Sequence, residues 1–206
     1  MNMGKVIQFN RYIRKEGVNM CKVLKDIQGK TADEILRTYG QDNSIPVNLN
    51  QLLLNIGISA LPLDFTELET TIGSKQGDIL GLVMSKGDKA AIFYKKDDTL
   101  NRQRFTIAHE LAHCCLHSLV DNKPHIEFRM NEQEKDSREK EADIFAGKLL
   151  IPLNKLKEVY MGLAVPSSVT LASKFAVSIN VMEARLNYLK ISYFNKDGQA
   201  VLYGTE

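Results

Sequence analysis

Apolar positions along this chain change period several times, and the changes mark its elements. Thr31-Ala-Asp-Glu34 is a capping-box pattern that predicts a helix over residues 32–39, stopped by Gly40. Asn48 is placed to cap a second helix through Asn55, ended by Gly57. Ile58–Leu63 reads as a short edge strand, because Pro62 has no N–H to give to a ladder. After a polar segment holding Gly73 and Gly77, Ile79–Ser85 and Ala90–Lys95 are apolar and rich in β-branched or aromatic residues. The turn-like Ser85-Lys-Gly-Asp88 between them predicts a β-hairpin.

The period then becomes helical. Beyond Asn101, the expected cap, Phe105, Ala108, Leu111, Ala112, Cys115 and Leu116 recur at helix spacing. Residues 121–137 are almost wholly polar, with Pro124 near their start, and predict a long loop. A strongly patterned helix follows over 137–151, with Ala142, Phe145, Ala146, Leu149 and Leu150 on its apolar side and Pro152 at its end. Leu153–Leu163 is amphipathic, Pro166-Ser-Ser opens a short helix through Phe175, and Ser178 caps another through Leu189. Residues 191–203 resemble a hairpin around Asn195–Gly198. Residues 1–30 lack a regular period and carry seven Lys/Arg against Glu16 and Asp26, which reads as an N-terminal basic tail or arm, or else as a short helix that packs late.

Composition narrows the class. The chain has 206 residues, 44% of them hydrophobic and 25% charged, as in an ordinary globular domain with a small appendage. No apolar run approaches the ~18 residues of a membrane span, and no continuous apolar stretch follows the basic N-terminus as in a secretory signal. Three cysteines, with Cys114 and Cys115 adjacent, do not make a disulfide framework, so a reduced, cytoplasmic setting is expected. A net charge of +2 argues neither for nor against nucleic acid.

The chemistry concentrates in His109-Glu-Leu-Ala-His113, an HExxH run inside the first long helical pattern. Residues four apart lie on one helix face ~6 Å apart along the axis, so His109 and His113 can share a metal ion, with Glu110 beside them to act on a water there. A catalytic zinc wants three protein ligands. The metzincin position for a third histidine is Leu119. His117 lies ~12 Å along a straight helix from His109, too far to share the ion, and reads as a helix-end histidine, partly exposed. Cys114 and Cys115 read as small core residues, and His125 as a loop histidine that would have to swing in. Glu139 and Asp143 lie one turn apart on the next helix. Glu139 as third ligand, with Asp143 hydrogen-bonding the distal nitrogen of a ligand histidine, accounts for both acids. Glu141 points to the opposite side and should be solvated. The alternative is that Glu139, Glu141 and Asp143 are simply the wet face of a charged helix.

Arg104-Phe-Thr-Ile-Ala-His-Glu-Leu-Ala-His113 followed by Glu139-Lys-Glu-Ala-Asp-Ile-Phe-Ala-Gly-Lys-Leu-Leu-Ile-Pro152 resembles the ImmA/IrrE family of zinc metallopeptidases, over roughly residues 31–190. The second motif is also similar to the glutamate helix of gluzincins. Two departures are Ala112, where family members often have Gly, and Asp143, where they often have Asn; neither removes a ligand. The resemblance implies an α+β, zincin-like minimal metalloprotease domain over 31–152, with a small antiparallel sheet, an HExxH helix and a glutamate helix. A helical, helix-turn-helix-like C-terminal subdomain ending in a β-hairpin would fill 153–206. It further implies one Zn2+ held by His109, His113 and Glu139, with Glu110 as catalytic base and Asp143 behind the ligands. The implied substrate is a helix-turn-helix repressor, cut by an antirepressor of a bacterial or phage mobile element or stress regulon. His125, Tyr94 and Tyr160 are candidates for the oxyanion partner.

Two rival readings stand beside this one. Leu171–Val177, Ser178 and Val181–Leu189 have helix-turn-helix spacing, which suggests DNA binding. Yet residues 167–190 offer only Lys174, Arg185 and Lys190 against Glu183, which is thin for phosphate contact. The other rival is a toxin–antitoxin-like regulator with a non-proteolytic, structural metal site. Closed structural sites usually use cysteines and need no glutamate beside the first histidine.

Overall fold

The computed structural model describes residues 21–22, 24–86, 88–117, 125–130 and 137–203. A mixed sheet lies at its centre. β3 (Ile79–Lys86) and β4 (Lys89–Lys95) form the expected antiparallel hairpin, with Lys86 opposite Lys89. The other edge of β4 is shared end to end. β1 (Cys21–Lys22) pairs antiparallel with Ala90 and Lys89, and β2 (Ser59–Leu63) runs parallel to Ala91–Lys95. β2 therefore makes the sheet mixed, where a purely antiparallel one was expected. β5 (His125–Met130) pairs antiparallel with β3 on the far side.

Side chains alternate along the hairpin, as the pleat requires. Val83, Ala90 and Ile92 enter the main core, while Leu82, Met84, Ala91 and Phe93 enter a smaller core on the opposite face. The first helices are α1 (Leu24–Ile27), α2 (Ala32–Thr38) and α3 (Leu49–Ile56), all contributing to the main core. The capping box of α2 forms: the Glu34 N–H donates to Thr31 Oγ1 at 3.3 Å, and the Thr31 N–H donates to Glu34 Oε2 at 2.8 Å. Asn48 caps α3 by accepting from the Gln51 N–H at 3.0 Å, and Gly57 ends it in the left-handed region at φ 89°. α4 (Thr66–Ile72) covers the smaller core with Leu68 and Ile72.

The second half is helical. α5 (Leu100–Leu116) carries HExxH, and α6 (Ser137–Leu150) carries Glu139 and Asp143. α7 (Leu153–Met161), α8 (Ser168–Phe175) and α9 (Ile179–Tyr188) follow, then a short hairpin of β6 (Tyr193–Phe194) and β7 (Ala200–Val201). Leu171, Phe175, Met182 and Leu186 belong to the same buried cluster as Leu111 and Leu149, so the C-terminal helices share the core of the HExxH helix. Cys114 and Cys115 are buried, as expected, and burial pushes the Cys115 thiol up to about 12. Among the described residues, no helix is long and apolar enough to cross a membrane.

Four expectations need correction. Residues 1–20 of the expected tail lie outside the described residues, but the segment after them is built into the fold, with α1 in keeping with the alternative of a short packed helix: β1 is paired, and Leu24 and Ile27 are fully buried. The polar segment before the hairpin contains α4. Its threonines obscured the helical period, and buried Glu69 ties it down by accepting from the N–H groups of Gly77 and Ile79, both at 2.8 Å. The 121–137 loop contains β5. In that sequence Ile126, Phe128 and Met130 alternate with polar residues, a strand period hidden by polar flanks; 118–124 and 131–136 lie outside the described residues. Finally, Asn101 does not cap α5. Thr99 holds that position, and Asn101 Nδ2 donates to the Val177 carbonyl at 3.1 Å.

Arg104, inside the motif stretch, fastens α5 to two neighbours. Its Nε donates to the Ala176 carbonyl at 3.0 Å, and an Nη donates to the Val47 carbonyl at 2.9 Å. Ala176 is the C-cap of α8, where carbonyls lack ladder partners, and Val47 lies in the loop just before the N-cap of α3. Arg104→Ala should therefore destabilise the fold by about 1–3 kcal/mol, read as a lower urea midpoint with an unchanged slope.

Candidate metal centre

The centre is built by the packing of α5 against α6. Ala108 and Ala112 on one helix and Ala142 and Ala146 on the other are fully buried, and small side chains let two helix backbones approach closely. That approach carries Glu139 and Asp143, one turn apart, to the histidines of α5. His109 Nε2 lies 3.1 Å from His113 Nε2 and 3.2 Å from Glu139 Oε2, and His113 Nε2 lies 3.2 Å from Glu139 Oε1. The three side chains form a group able to hold a metal ion.

The donor set suits such an ion. Ligand atoms about 2.0–2.2 Å from one ion in tetrahedral array stand roughly 3.3 Å apart, close to the three separations here. His109 Nδ1 lies 2.9 Å from Asp143 Oδ1. Since the carboxylate can only accept, the ring carries its proton at Nδ1 and presents the Nε2 lone pair to the centre. The adjacent His109 ring, then the His113 ring, holds the Glu139 carboxyl well below the usual carboxylate range. The histidines are buried, while the Glu139 side chain is 23% exposed, which leaves the centre reachable from its side.

Glu110 is 1% exposed and projects toward the sheet. The space it fills exists because residue 81 is glycine. A Cβ there would overlap the Thr106 methyl group and stand 3.0 Å from Glu110 Oε1 and 3.2 Å from the Phe93 carbonyl. A glycine within a strand often marks such a close approach, so Leu80-Gly-Leu82 held a signal that the pattern reading passed over. Gly81→Ala should force Thr106 and Glu110 aside, costing about 1–3 kcal/mol of stability and lowering turnover more than metal content. Steady-state kinetics beside metal analysis checks this.

The structure thus brings together His109, His113, Glu139 and Asp143, with Glu110 next to His109 in the chain. It also corrects the reading of His117. This residue is only 7% exposed, ends α5 as its C-cap, and lies with Nδ1 2.9 Å from His113 Nδ1. It is too far along the helix to be a ligand of the same group, yet it is no ordinary surface histidine. Glu141 is 61% exposed, as expected, but its Oε2 stands 3.6 Å from His117 Nε2. Among the oxyanion candidates, the Tyr160 hydroxyl is committed to the Ser192 carbonyl at 2.7 Å. His125 pairs with Ser85, four residues and about 13 Å along β3 from Gly81. Tyr94 pairs directly with Gly81 and packs against the main core, on the face that meets Glu110.

A small sheet backed by an HExxH helix, with a glutamate supplied by a second helix, is consistent with a small zincin-like domain. Residues 67–187, more than half of the chain, match the IrrE N-terminal-like domain of the peptidase M78 family, and the chain belongs to that family. The match runs from α4 to α9 and includes both helices of the centre. No curated protein matches the chain. Membership implies a metallopeptidase acting on a protein substrate.

Proposed function

We propose that this protein is a zinc-dependent endopeptidase that cuts a helix-turn-helix transcriptional repressor at a specific bond, as the antirepressor of a bacterial or phage mobile element or stress regulon. The observation that carries the peptidase reading is the convergence of His109, His113 and Glu139 to within 3.1–3.2 Å of one another beside a buried Glu110. The family resemblance supports the repressor as substrate.

In this reading His109, His113 and Glu139 hold one zinc ion. When bound, the ion supplies a Lewis acid that acidifies water and polarises a carbonyl. Glu110 is the general base: its carboxylate takes the proton of the attacking water and then gives it to the leaving amine. Burial against Gly81 keeps that carboxylate in one orientation and out of bulk water, which strengthens its action. Asp143 keeps His109 in the tautomer that faces the centre. A groove of about 580 Å³ runs beside the centre between α5, α6 and α9, with Phe105, Asp143, Ile144 and Tyr188 in its walls, and offers room for a segment of the substrate.

DNA binding by α8 and α9 is less well supported. The two helices are joined across Ala176–Ser178, but Arg185 is 7% exposed and its Nε donates to the Ile151 carbonyl at 3.3 Å. That leaves Lys174 and Lys190 to meet phosphates, too few for firm contact. The test of the proposed function is incubation of the full zinc-loaded chain with the repressor encoded beside it, followed by mass spectrometry of the products. A single cut, absent from the Glu110→Gln reaction, is expected. An intact repressor after prolonged incubation, with the chain folded and metal-loaded, would remove this substrate.

A further inference from the structure

We propose that His117 is a positioning residue for the metal centre. It fixes the orientation and tautomer of His113, and Glu141 steadies it in turn. The inference rests on the metal-ligand reading above and extends it to two residues outside the ligand set.

His117 closes the last turn of α5, its N–H donating to the His113 carbonyl at 3.1 Å, so its ring lies one turn along from His113 on the same face. The two ring centroids are 4.9 Å apart, and the Nδ1 atoms face each other at 2.9 Å. Only one of these nitrogens can hold the shared proton, and the surroundings choose which. His113 Nε2 faces His109 Nε2 at 3.1 Å and Glu139 Oε1 at 3.2 Å. To offer a lone pair there, a neutral His113 must carry its proton on Nδ1, and so it donates to His117 Nδ1. His117 then carries its own proton on Nε2, pointed toward Glu141 Oε2 at 3.6 Å.

The reverse assignment is self-defeating. A proton on His117 Nδ1 would put the His113 proton on Nε2, inside the ligand triangle, and turn a His117 lone pair toward a carboxylate. The two ligand histidines are therefore oriented differently: His109 by the charged Asp143, His113 by a neutral imidazole buried at the helix end. Glu141 is 61% exposed and beyond direct hydrogen-bond distance, so its contribution is the weaker one.

The experiment is zinc affinity by chelator competition on the full chain, for wild type, His117→Phe, His117→Gln and Glu141→Gln, each with a thermal melt of its metal-free form. His117→Phe removes the acceptor and should weaken zinc binding about 10–100-fold. His117→Gln, whose amide oxygen can accept from His113, should recover most of that loss, and Glu141→Gln should change affinity by no more than a few-fold. A His117→Phe protein that binds zinc as tightly as wild type overturns the proposal. Should that variant not fold, the wild type still decides. Long-range 1H–15N correlation spectra of the zinc-loaded protein should find His117 protonated at Nε2 and His113 at Nδ1, and protonation of His117 at Nδ1 overturns the proposal. A wild type that binds no zinc defeats the underlying metal reading instead, which sets the two failures apart.

Discussion

Glu110→Gln should lower the rate of peptide cleavage by about 10²–10⁴-fold while leaving the fold and the metal content unchanged. The substitution keeps the shape of a side chain that is 1% exposed and set against the backbone of Gly81. It removes the one property the proposed mechanism needs, a carboxylate able to accept a proton from water. Glu110 is not among the three side chains whose ligand atoms converge, so zinc content should match that of the wild type. A loss of rate without loss of metal separates a base from a ligand. Cleavage at the wild-type rate would show that Glu110 has no part in the proton transfer.

Glu139→Ala should act in the opposite order, emptying the centre first and stopping catalysis as a consequence. The carboxylate reaches both histidines, Oε2 at 3.2 Å from His109 Nε2 and Oε1 at 3.2 Å from His113 Nε2, so its removal takes away a ligand and its negative charge. Zinc affinity should drop by more than the ~10–100-fold typical of losing a residue behind the ligands. Glu141→Ala is the comparison and should cost no more than a few-fold in affinity: Glu141 is two residues along the same helix, 61% exposed and near the centre only through His117. Equal metal loss in both variants would mean that the helix presents charge to the ion without Glu139 being a defined ligand.

Much of this centre could be read from the chain because helix periodicity is strict. Once HExxH lay on a helix, His109 and His113 had to share a face, and a second helix with acids one turn apart could supply what was missing. Asp143 followed by the same arithmetic, and its carboxylate lies 2.9 Å from His109 Nδ1. Elements whose pattern is local and continuous, such as the capping box at Thr31 and the hairpin around residue 88, were legible for the same reason.

What escaped depends on tertiary contact. β5 is a six-residue strand whose pairing with β3 decides its conformation, and its polar flanks outweigh its alternation in a sequence window. α1 spans four residues and is held by burial of Leu24 and Ile27 in a core that other elements make. His117 was misread as partly exposed because its burial depends on neighbours from another helix, such as Glu141 at 3.6 Å, that the pattern around a helix end does not show. Gly81 carried a signal, but its meaning depends on which side chain lies above it, and that is Glu110 from another element.

The most direct test of the account is the metal dependence of repressor cleavage by the full chain. Protein stripped by a chelator should be inactive, and one equivalent of zinc should restore the wild type but neither Glu110→Gln nor Glu139→Ala. Undiminished cleavage by metal-free protein, or restoration of the Glu110→Gln variant to the wild-type rate, would contradict a centre made of His109, His113, Glu139 and a glutamate base.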